Sequence, residues 1–300
     1  MILVTGAAGF VGRHVTRLLV GRGERVRALV RGSEGAARLD DVDCELTQGD
    51  VTDPGSLRMA LSGVDAVVHL VAIIAGRPAD FDRVMTQGTA NLLAAAREAG
   101  AGRIVYMSAL GTSEQTRDTV PYYRSKWACE QAVTTSGIPY AILRPSFVFG
   151  PDGGALPRFL RIARLAPVTP VIGSGKQRIQ PIWVDDLARA VAATLTGPPG
   201  NGMIELGGPD IVDWNELWSL LKDAQGARRP ALHLPTWLMR PQALVLERLP
   251  GAPLTRDQLT MLSLGDNVVT DEGRSQESLG LGELVPLDEQ LRLAVAATSG

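Results

Sequence analysis

Tyr122 and Lys126 stand four residues apart in a chain that holds only four tyrosines and three lysines. Positions i and i+4 of a helix share a face, so a helix here aims the phenol and the ammonium into the same space. A nearby ammonium favours the phenolate, which makes such a tyrosine a usable acid or base near neutral pH. The competing reading is a solvated Tyr/Lys pair on a helix surface.

A second constellation is Gly6, Gly9 and Gly12 in the run Thr5-Gly-Ala-Ala-Gly-Phe-Val-Gly12. It follows Met1–Thr5, an apolar, β-branched run that reads as a buried strand, and precedes Arg13–Val20, which has helical periodicity. Gly6 suits the tight turn out of the strand. Gly9 leaves room for close approach to a pyrophosphate, and Gly12 lets the helix lie close on the sheet. The first N–H groups of that helix, around Phe10 and Val11, then face the phosphates. Glycine is common here, 33 of 300 residues, so the spacing alone is weak. The strand before it, the helix after it and a second strand over Glu24–Arg31 turn it into a dinucleotide-binding βαβ signal. A glycine-rich turn that binds nothing is the alternative.

Length and composition narrow the classes. Three hundred residues fit one large α/β domain or a nucleotide-binding domain with a smaller attachment, and 45% apolar residues suffice for a sizeable core. A net charge of −2 and a pI near 6.0 leave no electrostatic footprint for nucleic acid or anionic lipid. Cys44 and Cys129 are far apart, as are His14, His69 and His233, so neither a disulfide framework nor a metal site is expected. The longest strongly apolar run, Ala66–Ala75, is too short to span a bilayer and is interrupted by His69. With the first strand starting at Met1 there is no room for a secretory leader, so a cytoplasmic protein is expected.

The elements that must position these residues alternate. Strands are expected over Asp43–Gln48, Val64–Ala72, Arg103–Met107 and Ile138–Leu143, with helices over Pro54–Leu61, Asp80–Ala99 and Pro121–Thr135 between them. Asp53 suits the cap of the first of these helices, with Pro54 at its first position. This alternation predicts an α/β fold, a doubly wound parallel (Rossmann) sheet with a smaller, mostly C-terminal substrate lobe. Residues 1–150 with 178–207 are assigned to the dinucleotide-binding domain, and 151–177 with 208–300 to the lobe. Ile179–Val184 is expected to return to the sheet, Asp185-Asp186 to open a helix through Leu195, Met203–Leu206 to form a short strand and Trp214–Ala224 a helix.

The motifs Thr5-Gly-x-x-Gly9-x-x-Gly12, Gly49-Asp50-Val51, Tyr122-x-x-x-Lys126, Leu143-Arg-Pro-Ser146 and Pro181-Ile-Trp-Val-Asp-Asp186 together resemble the extended and atypical short-chain dehydrogenase/reductases, the epimerase/dehydratase-like group. More narrowly, Glu205-Leu-Gly-Gly-Pro209 and Leu254-Thr-Arg-Asp-Gln258 resemble the branch of the NADPH-binding accessory subunit of respiratory complex I and its bacterial relatives. The resemblance implies that Tyr122 is the acid/base, that Lys126 holds the cofactor ribose, and that a Ser or Thr orients the substrate carbonyl. That hydroxyl usually comes one residue after Ser108, where this chain has Ala109. Ser108, Thr112 or Ser113 substitutes for it, or the site binds cofactor and turns over slowly. Thr5, the three glycines, Pro145, Asp50 and Val51 correspond to cofactor contacts, the last two to an adenine pair; Asp50 also reads as a plain turn residue. Val71 and Ala72 line the cofactor floor or belong to the core alone.

Cofactor choice is read at the end of the second strand. NAD-preferring relatives place an acidic residue there for the ribose 2′-OH. Here Val30 holds that position with Arg31 beside it, and an arginine pairs with a 2′-phosphate that a carboxylate would repel. NADP(H) is therefore expected, with NAD(H) possible and Arg31 as an ordinary surface arginine the alternative. Residues His233–Leu249 read as a strand end and an amphipathic helix, which caps an apolar substrate such as an isoprenoid quinone, docks on a protein partner or membrane surface, or simply packs in the lobe. Arg158, Arg161, Arg164 and Arg178 keep a sugar-nucleotide substrate open. Three functions follow: an NADP(H)-dependent oxidoreductase of a carbonyl or quinone-type small molecule, a nucleotide-binding accessory protein, and an NAD-dependent sugar-nucleotide epimerase or dehydratase.

Overall fold

The structure is a computed structural model that describes residues 1–196, 201–235, 255–270 and 278–299. Through the first half, strands and helices alternate as β1 (Ile2–Thr5), α1 (Phe10–Gly21), β2 (Val26–Val30), α2 (Ser33–Ala37), β3 (Glu45–Gln48), α3 (Pro54–Ala60) and β4 (Ala66–His69). There follow α4 (Pro78–Phe81), a π-helical turn over Asp82–Gln87, α5 (Gly88–Glu98), β5 (Arg103–Met107), α6 (Pro121–Thr134) and β6 (Tyr140–Pro145). Next come β7 (Val148–Phe149), α7 (Leu156–Leu165), β8 (Thr169–Ile172), β9 (Arg178–Ile179), β10 (Ile182–Trp183), α8 (Val184–Thr196) and β11 (Gly202–Leu206). The described elements end with β12 (Val212–Asp213), α9 (Trp214–Asp223), β13 (Ala231–Leu234), α10 (Arg256–Ser263) and α11 (Leu287–Ser299).

The chain divides into two compact units. Unit 1 comprises Met1–Pro145, Val184–Leu206 and Asp271–Gly282; unit 2 comprises Ser146–Trp183, Gly207–Thr270 and Glu283–Gly300. Unit 1 is built on a seven-stranded sheet in the order β11-β6-β5-β4-β1-β2-β3, and every pairing in it is parallel. The order reverses between β1 and β4, so a crevice opens beyond the C-terminal ends of those two strands, at Thr5 and His69. Parallel strands inside a sheet need both faces covered, and the central β1 and β4 are accordingly apolar and buried, whereas the edge strand β3, Glu45-Leu-Thr-Gln48, is largely exposed. Leu3, Val67, Ile104 and Ile142 pack with α3, α5 and α6 through Leu57, Leu92 and Val133.

Two expectations change. Residues 179–184 do not return to the large sheet: β9 and β10 pair with β12 and β7 inside unit 2. Pro181 lies between them and has no N–H for a ladder, which rules out one unbroken strand. The seventh strand is β11, beside β6, and the unit boundary falls at Val184 rather than at 178. The long helix over 80–99 is also interrupted, by the π-turn before Gly88. A Cβ on Gly88 would lie 2.7 Å from Cγ2 of Val51, so this glycine admits the buried valine beneath α5.

Local signals were followed closely. Asp53 accepts the N–H of Gly55 at 2.9 Å and Asp213 that of Glu216 at 2.8 Å, both as helix caps. Thr255 and Gln258 form a reciprocal capping box that opens α10. The core of unit 2 is aromatic: Phe147 and Phe159 meet Trp214 edge-on, with ring centroids 5.5 and 5.6 Å apart. The glycine pair after β11 has a steric reason, since a Cβ on Gly208 would lie 1.9 Å from the carbonyl oxygen of Pro181. Residues 236–249 of the expected amphipathic helix lie outside the described residues; its leading part is β13, paired with β8.

Candidate active site

The glycine turn sits where β1 ends. Gly6 has φ +75°, and a Cβ there would come within 3.0 Å of the backbone of Leu70, just past β4. The closest approach is at Gly12: a Cβ would lie 2.1 Å from the Gly6 carbonyl oxygen and 2.7 Å from that of Ala7. Gly12 therefore makes room for the turn itself, not for the sheet as its spacing suggested. At Gly9 the limit is also the Gly6 carbonyl, at 3.1 Å. Helix α1 starts at Phe10 and Val11 with no side-chain cap and no acidic residue in its first turn. Its leading N–H groups and positive dipole end thus meet no side chain of their own, which fits an anionic pyrophosphate.

The flanking loops complete this end of the sheet. Arg31 follows β2 directly; it is exposed and makes no ion pair among the described residues. Gly35 of α2 lies against Ala8 of the glycine turn, with 3.5 Å from a built Cβ to that of Ala8. Asp50 is half-buried, and one carboxylate oxygen accepts both the N–H and the hydroxyl of Thr52 at 2.8 Å, so the turn reading holds for that oxygen. Val51 is buried, Val71 half-buried against the core and Ala72 exposed, so Ala72 is not a core residue.

Across the crevice, β5 and α6 position the reactive pair. Lys126 is 2% exposed and donates to the carbonyl of Met107 at 2.6 Å. Its ammonium lies over two rings, 5.1 Å from the centroid of Tyr106 and 5.7 Å from that of Tyr122. Burial pulls the Lys126 pKa down to about 8. Burial also pushes the Tyr122 phenol above its usual value, with Tyr123 adding to the effect. Burial and the neighbouring ammonium thus act on the phenol in opposite directions. Lys126 is buried and Tyr122 half-buried against the core of unit 1, so the two are no solvated surface pair.

The hydroxyl candidates separate. Ser113 is tied to Thr116 through both the hydroxyl and the backbone of a local turn. Ser108 and Thr112 are 3% and 2% exposed, and each hydroxyl lacks a hydrogen-bond partner among the described residues. A buried hydroxyl without a partner is costly, and a ligand that accepts from it removes the cost. Ala109 is half-buried between them, and Leu110 N–H to the Pro145 carbonyl, 2.9 Å, ties this loop to the end of β6.

Sequence reasoning missed the polar interior behind these residues. Thr5, one of the expected cofactor contacts, is fully buried and bonds Nδ1 of His69 at 2.6 Å; Nε2 of His69 reaches Thr89 at 2.9 Å. Burial, with the Lys126 charge nearby, drives the His69 pKa down to about 3, so the ring is neutral. Glu130, fully buried, takes a bidentate pair from Arg144 at 2.6 and 2.8 Å. The interruption of an apolar strand by His69 was the available signal for the first of these; nothing local marked the second.

The model of the NAD dependent epimerase/dehydratase family matches residues 2–207. The chain belongs to that family. Among similar proteins is a ceramide reductase of Caulobacter vibrioides, 32% identical over 78% of this chain and 74% of that protein. Another is the mitochondrial NADH dehydrogenase (ubiquinone) 1 alpha subcomplex subunit 9 of Arabidopsis thaliana, 26% identical over 96% of this chain and 74% of the other. The solved UDP-glucose 4-epimerase of Thermotoga maritima shares the fold, with a TM-score of 0.79 at 22% identity over 99% of this chain and 98% of that one. Family and relatives make this chain an NAD(P)-dependent oxidoreductase of the extended short-chain type. No described helix is long and apolar enough to cross a membrane.

Proposed function

We propose that this protein is an NADP(H)-dependent reductase of a ketone or quinone-type carbonyl. The observation that carries the reading is the Tyr122–Lys126 pair, a buried ammonium 5.7 Å from the ring centroid of a half-buried phenol. Reduction requires a proton at the carbonyl oxygen, and a protonated phenol is the group to deliver it. A bound nicotinamide dinucleotide supplies the hydride. Lys126 places its positive charge behind the ring of Tyr122 and stabilises the phenolate left when the proton departs. Ser108 or Thr112, whose hydroxyls have no partner among the described residues, donates to the same carbonyl oxygen in place of the hydroxyl absent at Ala109. Gly6, Gly9, Gly12 and the first turn of α1 hold the pyrophosphate, and Asp50, Val51, Val71, Ala72 and Pro145 surround the rest of the nucleotide. Arg31, exposed and without an acidic partner, takes the 2′-phosphate. The ceramide reductase relative supports a carbonyl substrate.

Ala109 favours a second reading, a nucleotide-binding accessory protein that turns over slowly and docks on a protein partner. A sugar-nucleotide epimerase using NAD is disfavoured by Arg31. Calorimetric titration distinguishes the cofactors: NADPH binds at least tenfold more tightly than NADH, and Arg31→Ala removes the preference. Equal or tighter NADH binding by the unmodified protein overturns the assignment. Single-turnover oxidation of NADPH against a panel of ketones and quinones tests the chemistry. Tyr122→Phe lowers the rate about 10²–10⁴-fold with cofactor affinity nearly intact, while Ala109→Ser raises turnover. Tight NADPH binding with no oxidation in any of these proteins favours the accessory reading.

A further inference from the structure

Unit 2 carries a charge pattern that the net charge of −2 hides. From Gly153 to Val184 there is no aspartate or glutamate, while Arg158, Arg161, Arg164, Lys176 and Arg178 all fall in that stretch. Arg178 is neutralised by Asp266 at 2.8 Å. The arginines of α7 are not neutralised: none of the three makes an ion pair or hydrogen bond among the described residues. Elsewhere arginines are commonly paired, as Arg17 is with Asp41 and Arg27 with Glu45.

At about 100° per residue, Arg158, Arg161, Arg164 and Leu165 fall in one sector of α7 about 120° wide. Leu156, Leu160 and Ala163 lie outside that sector and are buried in the core of unit 2. Arg161 and Arg164 are exposed, and Arg158 is half-buried close enough to Arg161 that burial and the neighbouring charge both lower its pKa. Like charges gathered on one face with no carboxylate among them are unfavourable until an anion joins them. Leu165, 67% exposed in the same sector, narrows the choice of anion. A soluble phosphate or an acidic peptide satisfies the guanidiniums and leaves the leucine in water. A bilayer surface takes both, the guanidiniums at the phosphates and the leucine at the acyl boundary.

We propose that the outer face of α7, Arg158, Arg161, Arg164 and Leu165, docks this protein on an anionic phospholipid surface. The contact requires no catalysis, so it stands or falls independently of the reductase reading. The test is co-sedimentation of the full chain with phosphatidylcholine vesicles, with and without 30 mol% phosphatidylglycerol, at about 50 and 500 mM NaCl. The protein is retained by the anionic vesicles at low salt, released at high salt and not retained by phosphatidylcholine alone. Arg161→Gln/Arg164→Gln lowers the partition coefficient about thirty-fold, and Leu165→Ser lowers it a few-fold, with unchanged thermal melts confirming folded protein. If the double variant melts early, the single substitutions and the salt series carry the test. No retention at low salt, or retention untouched by these substitutions, overturns the proposal. Calorimetry with inorganic pyrophosphate is the remaining arm: saturable binding that the double variant loses, without vesicle retention, assigns the row to a soluble phosphate ligand and also overturns it.

Discussion

The two units solve the problem of polar side chains in opposite ways. Unit 1 buries them in its interior: Thr5, His69 and Thr89 form a chain, Glu130 meets Arg144, and Lys126 is held by a carbonyl and two rings. Among its described residues, unit 2 gathers three two-stranded sheets around an aromatic core and leaves Arg161 and Arg164 of α7 exposed. A parallel sheet covered on both faces has its strand ends inside the protein, so any group that reaches the crevice must be supported from within. The difference teaches where pH and sterics should act, and it can be broken experimentally.

The largest effect is expected at the glycine turn. Gly12→Ala forces a Cβ against two backbone carbonyls that cannot move independently of β1. The expected cost is on the order of 4 kcal/mol, with loss of NADPH binding, read by chemical denaturation and calorimetry. A folded Gly12→Ala protein with normal affinity breaks the claim that unit 1 is set by backbone contacts.

Next in size is the acid limb of stability. His69 has its folded pKa lowered to about 3 from 6.5, so its contribution is complete above pH 6.5 and is lost as pH falls through the window between those values. From pH 6.5 to 4 this removes about 3 kcal/mol. His69→Gln should be less stable at pH 7 yet show a flatter acid limb. Equal acid slopes in the two proteins would show that carboxylates alone set that limb.

A smaller effect of opposite sign belongs to Lys126. Its folded pKa of about 8 lies below 10.5, so burial of the charged form penalises the fold below pH 8, and the penalty fades as pH rises toward 10.5. Lys126→Met is therefore more stable than the parent at pH 7, by about 2 kcal/mol after allowing for the unpaired Met107 carbonyl. The gain disappears near pH 10.5. Cofactor affinity should fall in the same variant. Thermal melts across pH check the first part, and no gain at pH 7 would mean that the rings and the carbonyl already compensate the buried charge. Substitutions on α7, by contrast, should leave the pH profile of stability unmoved.

The fold was legible because its signals are local. The strand–glycine–helix run, the caps at Asp53 and Asp213 and the i, i+4 spacing of Tyr122 and Lys126 depend on neighbours within four residues. Where the reading went astray, a local pattern met a distant constraint. The strand at 179–184 was apolar enough, but Pro181 split it and unit 2 took both halves. Gly12 was read against the sheet, yet the carbonyls of its own turn decide its size. The net charge of −2 is an average over the chain and does not show the acid-free stretch Gly153–Val184.

By itself the sequence determined the parallel α/β order, the phosphate-binding turn and the helix that carries the reactive pair, since hydrophobic period and backbone preference act over a few residues. Tertiary structure alone decided how far the pKa values of that pair are shifted. Tyr122 and Lys126 have ordinary pKa values in an open chain; burial raises that of the phenol, with Tyr123 adding to the effect, and lowers that of the ammonium held under Tyr106 and on the Met107 carbonyl. It alone joined Thr5 to His69 across 64 residues and, among the described residues, left the Ser108 and Thr112 hydroxyls without partners while binding that of Ser113. Desolvation and hydrogen-bond satisfaction are properties of a packed interior, and no spacing along the chain encodes them.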